Sequence, residues 1–245
     1  SRFSNGFAAA SQVGIKVRGS STGGRSKASL SLEVQDEFGE DKNLPLLGMP
    51  RESDWVLWGP YNFDRTLMHN PFIFELSRQI GRYAPRTRFV ELYLNTGGGP
   101  LSSADYYGVY ALMEKISRDA DRVDVERLFE EHNKEPDVSG GYILKIDRAD
   151  PGDSGFSAGR QNIKYVYPKE MEMERPERDA QQQYIRQFLN QMGDALYASY
   201  FKDPTRGYAK YIDVEAAIDH HLLNVVAFNV DALRLSGYMY KPRGG

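Results

Sequence analysis

The chain of 245 residues is 40% hydrophobic and 27% charged, has a formal net charge of -3 and contains no cysteine. That size and composition support a sizeable core, arranged as one large domain or as two lobes around a cleft. They exclude disulfides, thiolate metal sites and a global basic field for non-specific nucleic-acid binding, and no apolar run approaches the roughly 18 residues of a membrane span.

Near the start, Val13, Ile15 and Val17 alternate with polar neighbours over Gln12 to Arg18, and Leu30, Leu32 and Val34 do so over Ser29 to Gln35. The two-residue period predicts a hairpin of half-buried strands. Its connection, Gly19 to Lys27, is rich in glycine and hydroxyl side chains and is bounded by Arg18, Arg25 and Lys27. Glycines let backbone amides approach an anion and the cations neutralise it, as a phosphate-gripping loop requires. A flexible turn has the same composition, and from the loop alone it is the leading reading. No Gly-Lys-Ser/Thr follows at Walker spacing.

Leu44 to Pro50 reads as an apolar loop leading to a short buried strand, Asp54 to Trp58. Asp64 is a candidate N-cap for a helix carrying Leu67, Phe74, Leu76 and Ile80 and stopped by Gly81, with Pro71 expected to break its first turn. Thr87 to Asn95 and Tyr107 to Ile116 predict another strand pair, with Glu114 and Lys115 as a surface ion pair of little worth. Asp124 is expected to cap a short helix over Val125 to Glu131. Gly140 to Asp147 and Asn162 to Tyr167 are further strands.

Beyond Pro168 the pattern turns helical. Lys169 to Arg178 reads as a solvated charged linker, and Ala180 to Leu196 as a long amphipathic helix. Val214, Ile218, His221, Leu222, Val225 and Val226 mark the apolar face of a buried helix, after which Tyr238 and Tyr240 alternate as a strand would. A sheet-rich region over 1–168 and a helix-rich region over 169–245 predict an α+β protein of two lobes.

Chemistry-bearing motifs are few. His220 and His221 point about a hundred degrees apart on a helix and do not easily share a metal ion, so His221 reads as a core or subsurface residue. His-Glu-x-x-His is absent, and the Gly-x-Ser-x-Gly spelled by Gly19 to Gly23 lies in a predicted hairpin connection rather than on a strand-to-helix turn, so it makes no nucleophile elbow. Asp231 follows the apolar run Val225 to Phe228, where burying a carboxylate is costly unless a cation, metal or hydroxyl lies near. An exposed acid at a helix end fits the same pattern equally well.

Several segments in order are similar to the CotH kinase family, the spore coat protein H-like atypical protein kinases. They are Ile15 to Gly19 with its Ser-rich loop, Lys27 to Leu30, Leu46 to Pro50 with Asp54 to Leu57, Val90 to Asn95, Tyr107 to Glu114, Gly140 to Leu144, and Asn229 to Asp231 followed by Tyr238 to Tyr240. The resemblance covers nearly the whole chain. It implies a divergent protein-kinase-like fold that transfers the γ-phosphate of ATP, with Mg2+ or Mn2+, to Ser or Thr of a coat or surface protein. It implies Asp231 as the catalytic-region acid and a metal ligand, Arg18 and Lys27 as ATP-gripping cations, Glu114 as a partner orienting one of them, and Tyr142 as a ring stacking on adenine. The location is left open by the residues themselves, and the resemblance alone favours a spore coat or an exported, cell-surface place. Ser236-Gly237 stands where the family usually has Asn, and the family's Trp-Asp-x-Asp segment would lie past Gly245, so a truncated and inactive fragment is the expectation. The alternative is a non-catalytic kinase-like module in a coat or surface assembly. A third reading gives the Gly- and Ser-rich loop a surface polyanion to bind.

Overall fold

The computed structural model describes residues 10–19, 23–59, 61, 63–148, 155–232 and 234–245. Its contacts divide the chain after Ile116 into two units, Ser1–Ile116 and Ser117–Gly245.

The first unit is built on a five-stranded antiparallel sheet in the order β1–β2–β3–β5–β4. Its strands are β1 (Gln12–Arg18), β2 (Ser29–Gln35), β3 (Asp54–Trp58), β4 (Thr87–Tyr93) and β5 (Tyr106–Glu114). The predicted hairpin forms, with Val13 opposite Val34, Ile15 opposite Leu32 and Val17 opposite Leu30. Because side chains alternate along a strand, this register gathers the apolar positions on one sheet face. The face continues through Leu57 and Leu112 and is closed by Met49, Leu44 and Leu46 of the apolar loop. Strand β1 lies at the sheet edge, and Val13, Ile15 and Val17 are more exposed than half-burial predicts.

On the opposite face, Val56, Ala111 and Met113 pack with Phe74 from α1 (His69–Gln79). Pro71 does not break this helix. It occupies the first turn, where its missing N–H has no intrahelical partner to lose. Asp64 serves the helix start as expected, although from outside the cap position. Its buried carboxylate accepts from the amide of His69 at 2.8 Å and from the Thr66 hydroxyl at 2.6 Å.

The second unit holds a four-stranded antiparallel sheet in the order β7–β8–β6–β9. These strands are β6 (Tyr142–Ile146), β7 (Phe156–Ala158), β8 (Gln161–Tyr167) and β9 (Gly237–Lys241). Ile185 and Leu189 of α3 (Asp179–Tyr197) pack on Tyr142, Leu144, Phe156 and Ile163, which makes one core. The boundary expected at Pro168 falls inside this unit, between β8 and helices that share its core.

Three expectations change here. The charged run before α3 is not a solvated linker, because it folds into α2 (Glu170–Met173) and a single 3-10 turn that bury Met173 and Arg178. No helix forms over 125–131. The segment is irregular, burying Val125 and Leu128, and the Leu128 amide donates to the Tyr167 hydroxyl at 3.2 Å. Tertiary anchoring outweighs a weak local helix preference. Finally, α4 (Val214–Val226) has no buried residue, and Ile218, Leu222, Val225 and Val226 are each more than half exposed. An apolar stripe predicts a helix without specifying what covers it. His220 and His221 are exposed as well.

Candidate functional site

In the first unit, Arg18 ends β1 and Lys27 lies just before β2, so the β1–β2 connection brings both to one end of the sheet. Ser20 to Thr22 of that connection lie outside the described residues. Lys27 is half-buried, and its Nζ stands 4.9 Å from the centre of the Tyr110 ring on β5. Burial pulls the Lys27 pKa down, because desolvation disfavours the charged ammonium. Gly108, at φ +118, leaves room beside the ammonium, and Gly59 lies where a Cβ would overlap the Tyr110 ring. Arg18 is exposed, while Arg25 lies 5.6 Å from the centre of the Phe63 ring. Three cations therefore collect at this sheet end, beside aromatic rings.

Glu114 does not join them. It sits six residues beyond Gly108 on β5, opposite Trp55, and at about 3.3 Å per residue that is roughly 20 Å away. Nor is it a surface acid: it is 1% exposed and accepts from the Arg86 amide and from Arg86 Nη1, both at 2.8 Å. Lys115 instead pairs with Asp54 at 2.9 Å.

Tyr142, in the second unit, is 0% exposed, so its ring has no open face for a base. Its hydroxyl donates to the Val138 carbonyl at 2.9 Å and its ring stacks on Tyr184. Burial pushes its pKa far up. The residue belongs to the core.

Asp231 lies in a turn between α4 and β9. Helix α4 is capped by Asp213, whose carboxylate accepts from the Ala216 amide at 3.0 Å. At its far end, Asn224 donates to the His220 carbonyl and accepts from Asn229, each at 2.8 Å, and Asn229 Oδ1 accepts from the Asp231 amide at 3.2 Å. This relay fixes the backbone that carries Asp231. The carboxylate is half-exposed and accepts from Arg234 Nη2 at 2.6 Å. Ser236, which departs from the family pattern, donates to Asp147 at 3.4 Å. Periodicity missed the relay because its members are polar; a helix-end asparagine followed five residues later by another was the available signal.

No group of three or more acidic or histidine side chains among the described residues forms a metal cage. Asp231 alone offers one carboxylate, the kind of donor Mg2+ takes together with phosphates and water rather than a complete site.

Two antiparallel sheets with a few helices define an α+β protein. The chain belongs to the CotH kinase protein family, whose model matches residues 15–245. No curated protein and no solved structure matches it. The family name implies ATP use and a protein substrate in general terms. No helix among the described residues is long and apolar enough to cross a membrane.

Proposed function

We propose that this chain, rather than being an inactive fragment, is an atypical protein kinase domain that transfers the γ-phosphate of ATP to a serine or threonine hydroxyl of a coat or surface protein. The observation that carries this reading is the family match over residues 15–245. The order of the first unit supports it: a glycine-rich connection, a third strand and then a helix follow one another as those parts do in protein kinases. Strand β3 itself contains no lysine, so Lys27 takes the phosphate-gripping role, with Arg18 and Arg25 adding charge. A polyphosphate beside Lys27 would offset the desolvation that lowers its pKa.

On the acceptor side, Asp231 orients the hydroxyl. The hydroxyl oxygen bonds to the γ-phosphorus, the bond from phosphorus to the β–γ bridging oxygen breaks, and ADP leaves with that electron pair while the hydroxyl proton passes to the Asp231 carboxylate. Asp231 must first exchange its contact with Arg234, which is exposed enough to swing away. A divalent ion bound with ATP would neutralise charge at the phosphates, and among the described residues Asp231 would offer it one carboxylate.

The Asp231–Arg234 pair favours a second reading, a kinase-like module that binds a coat or surface partner without transfer. Incubation with γ-labelled ATP, magnesium and a serine-rich acceptor protein separates the two. Label in the acceptor or in the chain itself, lost in Asp231→Asn, supports the kinase. ATP binding with no transfer from either protein supports the module.

A further inference from the structure

A second place in the molecule is built for a ligand. In the second unit, a cavity of about 270 Å³ opens between the irregular segment at 127–131 and the turn leading to α3, and Arg178 lines it. Arg178 is only 6% exposed, yet among the described residues no carboxylate lies within ion-pairing distance of it. Its Nη1 donates to the Leu128 carbonyl at 3.3 Å and to Gln181 Oε1 at 2.7 Å. Its Nε is buried without any acceptor, and Nη2 donates to no group among the described residues. Nε and Nη2 share one edge of the planar guanidinium, the edge that receives a carboxylate through two parallel hydrogen bonds. A buried guanidinium with such an edge unspent is costly to maintain, and an anion on that edge removes the cost.

The other lining groups narrow the choice. The Tyr167 hydroxyl accepts from the Leu128 amide at 3.2 Å and keeps its own proton to donate. Two of the acids are already engaged, Glu130 with Arg175 at 2.7 Å and Glu172 with the Lys169 amide at 2.9 Å. Glu131, exposed on the rim, adds negative charge that opposes a multiply charged anion. At about 30 Å³ per water molecule, the cavity holds roughly nine waters, room for an acid of a few carbons and too little for a nucleotide. We infer that this cavity is a binding site for a small carboxylic acid, held in two-point contact by the Nε–Nη2 edge of Arg178 with the Tyr167 hydroxyl beside it.

The inference is independent of the kinase reading, and its test uses no ATP. The chain is titrated with acetate, with glutamate and with inorganic phosphate at fixed ionic strength, and arginine Nε–Hε resonances are followed in nitrogen–proton correlation spectra. The Arg178 resonance is assigned by its loss in Arg178→Lys. A saturable shift of that resonance with acetate or glutamate, together with a rise in melting temperature, is expected. Arg178→Lys, which lacks a two-donor edge, should weaken binding about tenfold or more. Should that variant not fold, Tyr167→Phe leaves the guanidinium in place and is expected to weaken the same carboxylate several-fold. An Arg178 resonance that stays put at high carboxylate concentration overturns the inference, as does tighter binding of phosphate than of either carboxylate.

Discussion

The ammonium of Lys27 stands over the ring of Tyr110, and the hydroxyl of the same ring donates to the carbonyl of Ala28, one residue along, at 3.2 Å. Tyr110 therefore fixes both the backbone and the charge of the segment that follows the glycine-rich connection. A cation–π contact of this kind is worth about 0.5–2 kcal/mol depending on its solvation. It aligns the lysine without using its donors, which stay available to an anion. Lys27→Met is expected to weaken ATP binding by about tenfold or more, the loss of one charge-assisted contact, while changing the melting temperature little. A nucleotide titration followed by calorimetry measures this, and unchanged affinity would remove Lys27 from the site.

The same tyrosine sets an alkaline limit. Burial, and to a lesser degree the neighbouring Tyr107, pushes the Tyr110 pKa up to about 12 from 10.0. The folded chain then keeps a proton that the unfolded chain has released, so stability is lost as pH rises from 10 towards 12. Denaturant unfolding across that pH range should show the decline in the parent, and a shallower one in Tyr110→Phe.

Acid acts through Asp64. Burial raises its pKa, but hydrogen bonds from Thr66 and His69 outweigh burial and leave it below the usual carboxylate value. The stabilisation is present above the unfolded-state pKa near 3.8 and disappears as pH falls through the lower folded value. Asp64→Ala leaves the His69 amide without its acceptor and should cost about 1–2 kcal/mol at neutral pH. Urea unfolding at neutral pH and again near pH 3 should show the difference between parent and variant narrowing in acid.

Glu114 is predicted to matter for stability alone. Glu114→Ala removes two charge-assisted hydrogen bonds from Arg86, a loss of about 2–4 kcal/mol, since the arginine end of the pair is partly exposed. ATP affinity should be unchanged, because Lys27 lies at the other end of β5. A fall in affinity without loss of stability would restore Glu114 to the nucleotide site.

How far the sequence could be read depended on what kind of information each segment carries. Strands such as β1 and β2 announce themselves because a period of two is local, and the partner of Val13 or Leu30 follows from the hairpin. The burial of α4 was not legible, since Ile218, Leu222, Val225 and Val226 define a stripe whose covering surface is a tertiary property. Glu114 and Tyr142 were misplaced for a related reason: an acid beside a lysine and a tyrosine in a strand look alike whether they face water, a ligand or the core. Arg178 escaped notice entirely, because a lone arginine in a charged run gives no sign that it will be buried. Asp231 was singled out through its position in an ordered family pattern alone, while the Asn224–Asn229 relay that holds its backbone left no periodic trace.

The most direct measurement compares transfer of γ-labelled phosphate from ATP by the parent, Asp231→Asn and Arg234→Ala, with melting temperatures taken alongside. Transfer by the parent is expected, with a fall of about 10²–10⁴-fold in Asp231→Asn and transfer retained or raised in Arg234→Ala, where the carboxylate is released from its ion pair. All three should melt within a degree or two of one another, since an exposed pair of this kind is worth less than about 1 kcal/mol. Equal transfer by the parent and Asp231→Asn would contradict the assignment of the acid, and no transfer by any of the three would contradict the kinase itself.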